Sequence, residues 1–95
     1  MSTQRVKLDA SLMNVEDLNG IPALAAAVEA AGFDGLWASE VNHDPFVQLA
    51  LAATRAERLE LGTAIALSFN RSPMTLAYSA WDLAAMSQGR FILGL

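Results

Sequence analysis

The sequence predicts an α/β fold, the N-terminal half of a (β/α)8 TIM barrel, running β-α-β-α-β-α-β with parallel strands. Three observations predict it. Short apolar segments of strand type alternate strictly with segments of helical period. The helix starts share a proline in the first turn, at Pro22, Pro45 and Pro73, which hints at a repeated βα unit. Each unit is roughly 25 to 30 residues long, as βαβ geometry requires.

The elements follow in order. Val6, Leu8, Ala10 and Leu12 alternate with Lys7, Asp9 and Ser11, the period of a first strand into which Met1 to Arg5 lead directly. A polar loop, 14–20, precedes a helix with Ile21, Leu24, Val28 and Ala31 at helical spacing and Gly32 just past its end. Gly35 to Ser39 is the second strand. Asp44 is placed to cap a helix that Pro45 opens, with Phe46, Leu49, Ala50 and Ala53 as its apolar stripe. Leu59 to Leu67 is the third strand. Ser72-Pro73 repeats the cap and proline, Leu76, Ala80, Leu83 and Ala84 mark the third helix's buried side, and Gly89 supplies the left-handed residue that ends it. Phe91 to Leu95 is continuously apolar, as expected of a strand covered on both faces.

Strict alternation implies a parallel sheet with right-handed crossovers. A small doubly wound sheet also fits that pattern. The half-barrel is preferred because the sequence stops within its most apolar strand, an edge that a complete domain would cover. A receiver-like signalling domain would want paired acids directly after strand one, whereas Glu16 and Asp17 fall several residues late.

Composition narrows the function. The 95 residues are 54% hydrophobic with a net charge of −4, too apolar for a disordered chain. The basic residues are scattered rather than clustered, which argues against a nucleic-acid partner. The longest apolar runs, such as Ile21 to Val28, fall short of the roughly 18 residues a membrane span needs. There is no cysteine, hence no disulfide or thiolate metal site, and no metal is expected. The expected location is the cytoplasm. No G-x-G-x-x-G or P-loop pattern is present, so a nucleotide-binding sheet lacks its usual signature.

Particular motifs carry a family resemblance. Ala31-Gly32-Phe33-Asp34-Gly35-Leu36-Trp37 approaches strand two, and Leu61-Gly62-Thr63-Ala64-Ile65-Ala66 forms strand three. Arg71-Ser72-Pro73, Leu76-Ala77, Leu83 and Ser87-Gln88-Gly89-Arg90-Phe91-Ile92-Leu93-Gly94 follow in order. Together they resemble the luciferase-like monooxygenase superfamily, from about Val6 to Leu95. Ser39-Glu40-Val41-Asn42-His43-Asp44-Pro45-Phe46 is most similar to its coenzyme F420-dependent branch. The resemblance implies an oxidoreductase or monooxygenase that moves hydride between a deazaflavin or flavin and a small organic substrate. F420 is the implied cofactor and FMN the alternative. Strands five to eight of such a barrel are absent, so residues 1–95 are expected to be a partial domain, inactive alone, that forms a homo-oligomer or lacks its C-terminal half. Two other readings stand beside this one: a non-catalytic half-barrel that self-associates through strands one and four, and a small doubly wound binding domain.

Barrel chemistry sits in the loops that follow the strands. His43 lies just past strand two and is the candidate to hydrogen-bond a cofactor or pass a proton, its alternative being a loop residue that helps cap the next helix. Glu40 is expected to orient His43 or act as an acid-base group, or else to be an ion-paired loop residue. If Val6, Leu8, Ala10 and Leu12 face the helices, then Lys7, Asp9 and Ser11 point into the barrel, with Ser11 nearest the cofactor. The resemblance to F420-dependent members implies a non-proline cis peptide at Ala64–Ile65, backing the deazaflavin ring. The loop from Ser68 to Arg71 offers N–H groups and a guanidinium to an anion, unless Arg71 pairs with a nearby carboxylate. Trp37, Tyr78, Trp81 and Phe91 are expected to serve packing, and Arg90 to tie the turn before strand four.

Overall fold

The computed structural model describes residues 6–13 and 15–95; the lead-in at Met1 to Arg5 and the loop position Asn14 lie outside them. Four strands, β1 (Asp9–Leu12), β2 (Gly35–Ala38), β3 (Glu60–Thr63) and β4 (Phe91–Ile92), form one sheet in the order β1-β2-β3-β4. Every pairing is parallel. Helices α1 (Ile21–Ala30), α2 (Pro45–Ala53) and α3 (Pro73–Met86) fill the connections. Right-handed crossovers between successive neighbours put all three helices on one side of the sheet. α2 accordingly packs between α1 and α3. A doubly wound sheet would reverse its strand order and carry helices on both faces. The sequential order therefore decides for the barrel-type arrangement.

The register sorts side chains by face. Ala10, Leu36, Leu61 and Phe91 align across the sheet, and so do Ser11, Trp37, Gly62 and Ile92. The first row faces the helices. Leu12, Leu36, Ala38 and Leu61 are buried there against Ile21 and Ala25 of α1, Phe46, Leu49 and Ala52 of α2, and Leu83 of α3. The second row lines the concave face. The Trp37 ring packs against Gly62, and its indole N–H donates to Asp9 at 2.9 Å. Asp9 in turn sits against Gly35.

Local signals set the helix ends as expected. Asp44 accepts from the Phe46 N–H at 2.8 Å, and Ser72 caps α3 through the Thr75 N–H at 3.1 Å. Gly32 (φ +91°) and Gly89 (φ +84°) adopt the left-handed turn that closes α1 and α3. At the amino-terminal end of the sheet, the Arg90 guanidinium donates to the carbonyls of Ser87, Leu59 and Ala56, tying the turn before β4. Beside it the Glu29 carboxylate accepts the backbone N–H groups of Glu57, Arg58 and Leu59.

Several details differ from the sequence reading. Val6 and Leu8 are exposed, and burial rises along β1 to Leu12, so the helix layer covers only the strand's carboxyl half. Leu24 is exposed and Ala25 takes its place inward, because α1 is apolar nearly all round and spacing does not select its face. In α2 the buried set includes Gln48 and Ala52, while Ala50 and Ala53 are half-buried. β3 ends at Thr63 rather than Leu67. Its neighbour turns away after Ile92, and the Gly94 backbone bonds the Thr63 hydroxyl instead of extending the ladder. Tyr78 and Trp81 stand out from α3 at 66% and 77% exposure, so they do not pack the core; Phe91 does, 6.2 Å from Phe46.

A Cβ added at Gly62 would lie 2.3 Å from the Trp37 ring, closer than atoms pack. Gly62→Ala is expected to cost about 1–3 kcal/mol through overpacking, read as a lower urea midpoint with an unchanged slope.

Candidate functional site

Parallel strands deliver all their following loops to one rim, and that rim holds Ser11, Glu40, His43, Ala64, Ile65, Ser68 and Arg71, while Lys7 lies at the opposite end of the sheet. Ser11 ends β1 on the concave face, in register with Trp37. Ser39, Glu40 and His43 follow β2, and Ala64, Ile65 and Ser68 follow β3. Ser11 and Ser68 are both exposed.

The Ala64–Ile65 peptide is cis. Neighbours on both sides pin this segment. The Ala64 N–H donates to the Ala38 carbonyl at 2.8 Å, and the Ser39 hydroxyl donates to the Ala64 carbonyl at 2.8 Å. The Glu40 N–H donates to the Ile65 carbonyl at 3.4 Å, and the Ala66 N–H reaches the Gly94 carbonyl at 2.9 Å. The Ile65 side chain remains half exposed at the rim (52%). Met13, Val41, Leu67 and Phe69 are exposed on the same set of loops.

His43 is tied to the first rim loop, its Nε2 lying 3.0 Å from the Val15 carbonyl. A carbonyl only accepts, so Nε2 carries the hydrogen and Nδ1 of the neutral ring is left as an acceptor. The loop beneath it is held by Gln48, 2% exposed, whose amide donates to the Ser39 and His43 carbonyls, both at 3.3 Å. The Gln48 Oε1 has no partner among the described residues. Sequence reasoning passed over Gln48; its one signal was a polar residue amid the apolar sequence of α2.

Glu40 does not bond His43. Its carboxylate accepts from the Leu67 N–H at 2.9 Å and from Arg71 Nη1 at 2.5 Å. Burial pushes the Glu40 carboxyl up, but the Arg71 guanidinium and the Leu67 N–H outweigh it and hold the group below its ordinary value. Arg71 therefore meets a carboxylate and is not open to an anion. It also donates to the Leu67 carbonyl at 2.9 Å, lies 3.6 Å from Asp44, and stacks 5.0 Å above the Phe46 ring. A concavity of about 360 Å³, lined by Lys7, Asp34, Arg58 and Glu60, is at the opposite end of the sheet. It is an open groove crossed by the Lys7–Glu60 ion pair, at the end that serves stability in barrels.

Four parallel strands in sequential order, helices on one face, and polar loops gathered at the carboxyl rim define the first three βα units and the fourth strand of a (β/α)8 barrel. The chain belongs to the luciferase-like monooxygenase family, which it matches over residues 1–95. It is 51% identical over 92 residues to the uncharacterized protein Rv1360 of Mycobacterium tuberculosis, a match covering 97% of this chain and 26% of the relative. An F420-dependent glucose-6-phosphate dehydrogenase of Intrasporangium calvum is 35% identical over 78 residues, covering 70% of this chain and 23% of the relative. Among solved structures, the coenzyme F420 dependent tetrahydromethanopterin reductase from Methanopyrus kandleri superposes with a TM-score of 0.85 at 26% identity, over 95% of this chain and 26% of that one. The chain thus spans about a quarter of the length of these relatives. No helix among the described residues is long and apolar enough to cross a membrane.

A carboxyl held below its ordinary value stabilises the fold above the unfolded-state value, and that contribution is lost as pH falls through the folded-state value. Stability is therefore expected to drop on acidification below about pH 4.5, the ordinary value for Glu40. Glu40→Gln is expected to lower stability at neutral pH and to flatten the acid limb of a denaturation-midpoint series.

Proposed function

We propose that this chain supplies the first three βα units and the fourth strand of an F420-dependent oxidoreductase, working with further strands that complete the barrel and its pocket. FMN is the alternative cofactor. The observation that carries the reading is the Ala64–Ile65 segment, presented at the rim and pinned from both neighbouring strands. Relatives described as F420-dependent, at 35% and 26% identity, support the choice of cofactor class.

The residues present fit one side of a flat conjugated ring. Ala64 and Ile65 offer an exposed, largely apolar ledge, and Ser11 and Ser68 offer hydroxyls at the ends of β1 and of the β3 loop. When bound, the deazaflavin or flavin would supply the hydride-carrying ring. The chain's own part is binding, orientation and proton handling. His43, its tautomer set by the Val15 carbonyl, keeps Nδ1 available to accept a proton or hydrogen bond from a small organic substrate. Glu40, bonded to Arg71 and Leu67, contributes through rim geometry rather than through His43.

The test is fluorescence titration of the protein, expressed with whatever coding sequence follows it, against F420 and FMN separately. Saturable F420 binding with FMN at least about tenfold weaker, roughly 1.4 kcal/mol, is the expected result. Saturation by FMN alone would move the assignment to a flavin monooxygenase, and binding of neither would overturn it. A second reading rests on β1 and β4, each of which has a single sheet neighbour. Such edges suit a half-barrel that self-associates without catalysis. Sedimentation showing a stable oligomer that binds neither cofactor would favour it.

A further inference from the structure

We propose that Arg71 is a positioning residue, whose grip on Glu40 fixes the Ala64–Leu67 segment at the rim and so sets the shape of the ledge offered to a cofactor. The inference rests on the reading of the rim as the cofactor site, and it adds a residue that does not itself form the ledge.

The geometry is that of a clamp. The Arg71 and Glu40 side chains are only 13% and 16% exposed, so the pair sits inside the rim and not on it. Arg71 Nη1 serves two acceptors, the Glu40 carboxylate and the Leu67 carbonyl, while Nη2 faces Asp44 at 3.6 Å. The guanidinium carbon lies 5.0 Å from the centroid of the Phe46 ring, and Phe46 packs against Phe91 at the start of β4. Through these contacts one side chain joins the loop after β2, the loop after β3, the first turn of α2 and the core.

Glu40 passes the constraint to the ledge. Its carboxylate takes the Leu67 N–H on one side of the segment, and its own N–H reaches the Ile65 carbonyl. Ser39, its neighbour in sequence, holds the Ala64 carbonyl. A shift of Glu40 therefore moves three backbone contacts of the same segment together. Lysine cannot substitute. Its single ammonium lacks the planar fork that meets a carboxylate, a carbonyl and a second carboxylate while lying on an aromatic ring.

Arg71→Lys and Arg71→Met are compared with the wild-type protein by amide hydrogen exchange and by F420 titration. The expected result is faster exchange confined to the 64–67 segment, unchanged protection of β2 and β3, and F420 affinity weakened about tenfold, the size expected for losing a charged hydrogen bond. Unchanged exchange at 64–67 in both variants would overturn the proposal. So would equal acceleration across the core strands, which would mark Arg71 as a general stabiliser. If wild-type protein binds no F420 but the variants still loosen 64–67 alone, the cofactor assignment fails and the clamp stands. If wild-type protein binds F420 and the variants bind it equally well, the clamp fails and the assignment stands.

Discussion

Right-handed crossover between adjacent parallel strands is the constraint from which the rest of this structure follows. With strands in the order β1-β2-β3-β4, each helix is carried to the same face, and each strand delivers its chain to the same edge. The two faces then divide the residues. One is closed by helices over Leu36, Ala38 and Leu61, and the other presents Ser11, Trp37 and Ile92 on a concave surface. The loops that contain Glu40, His43 and Ile65 become neighbours only because their strands run the same way. An antiparallel pairing of β2 with β3 would send His43 and Ile65 to opposite ends of the sheet.

The two ends of the sheet handle charge differently. At the amino-terminal end, the side chains of Glu29 and Arg90 direct their hydrogen bonds to backbone groups of the turns there. These ties span about thirty residues of sequence but end on backbone groups. At the carboxyl end, Glu40 and Arg71 are largely removed from water and bonded to each other. Burying two charges costs several kcal/mol of hydration each, and that cost is offset only when additional hydrogen bonds satisfy the remaining atoms. Here they do: Leu67 supplies both an N–H and a carbonyl, and Phe46 covers the guanidinium face. A pair so costly to assemble, set beside an exposed ledge, is better explained by the geometry it imposes than by net stability.

Features encoded by neighbours in sequence were legible from the sequence. Asp44-Pro45 and Ser72-Pro73 mark helix starts through contacts spanning two and three residues, and Gly32 and Gly89 mark helix ends through one backbone angle. The family resemblance placed the cis peptide at Ala64–Ile65, where the structure has it. What was not legible depends on partners brought together by the fold. Glu29 meets residues 28 to 30 positions away, and Glu40 meets Arg71 at a separation of 31. No local pattern encodes such distances. Leu24 and Ala25 show the other failure. In a helix with a single charged residue, periodicity supplies no polar face to orient it, and the small side chain turned inward.

The structure separates two residues that sequence reasoning had coupled. A carboxylate four to six ångströms from an imidazole would orient the ring and stabilise its protonated form. Glu40 is committed elsewhere, and the group that fixes the His43 ring is a neutral carbonyl on the loop after β1. A carbonyl fixes the ring's orientation and tautomer without placing a charge beside it. On the proposed assignment, His43 offers Nδ1 as an acceptor, and the loop after β1, rather than Glu40, holds its ring.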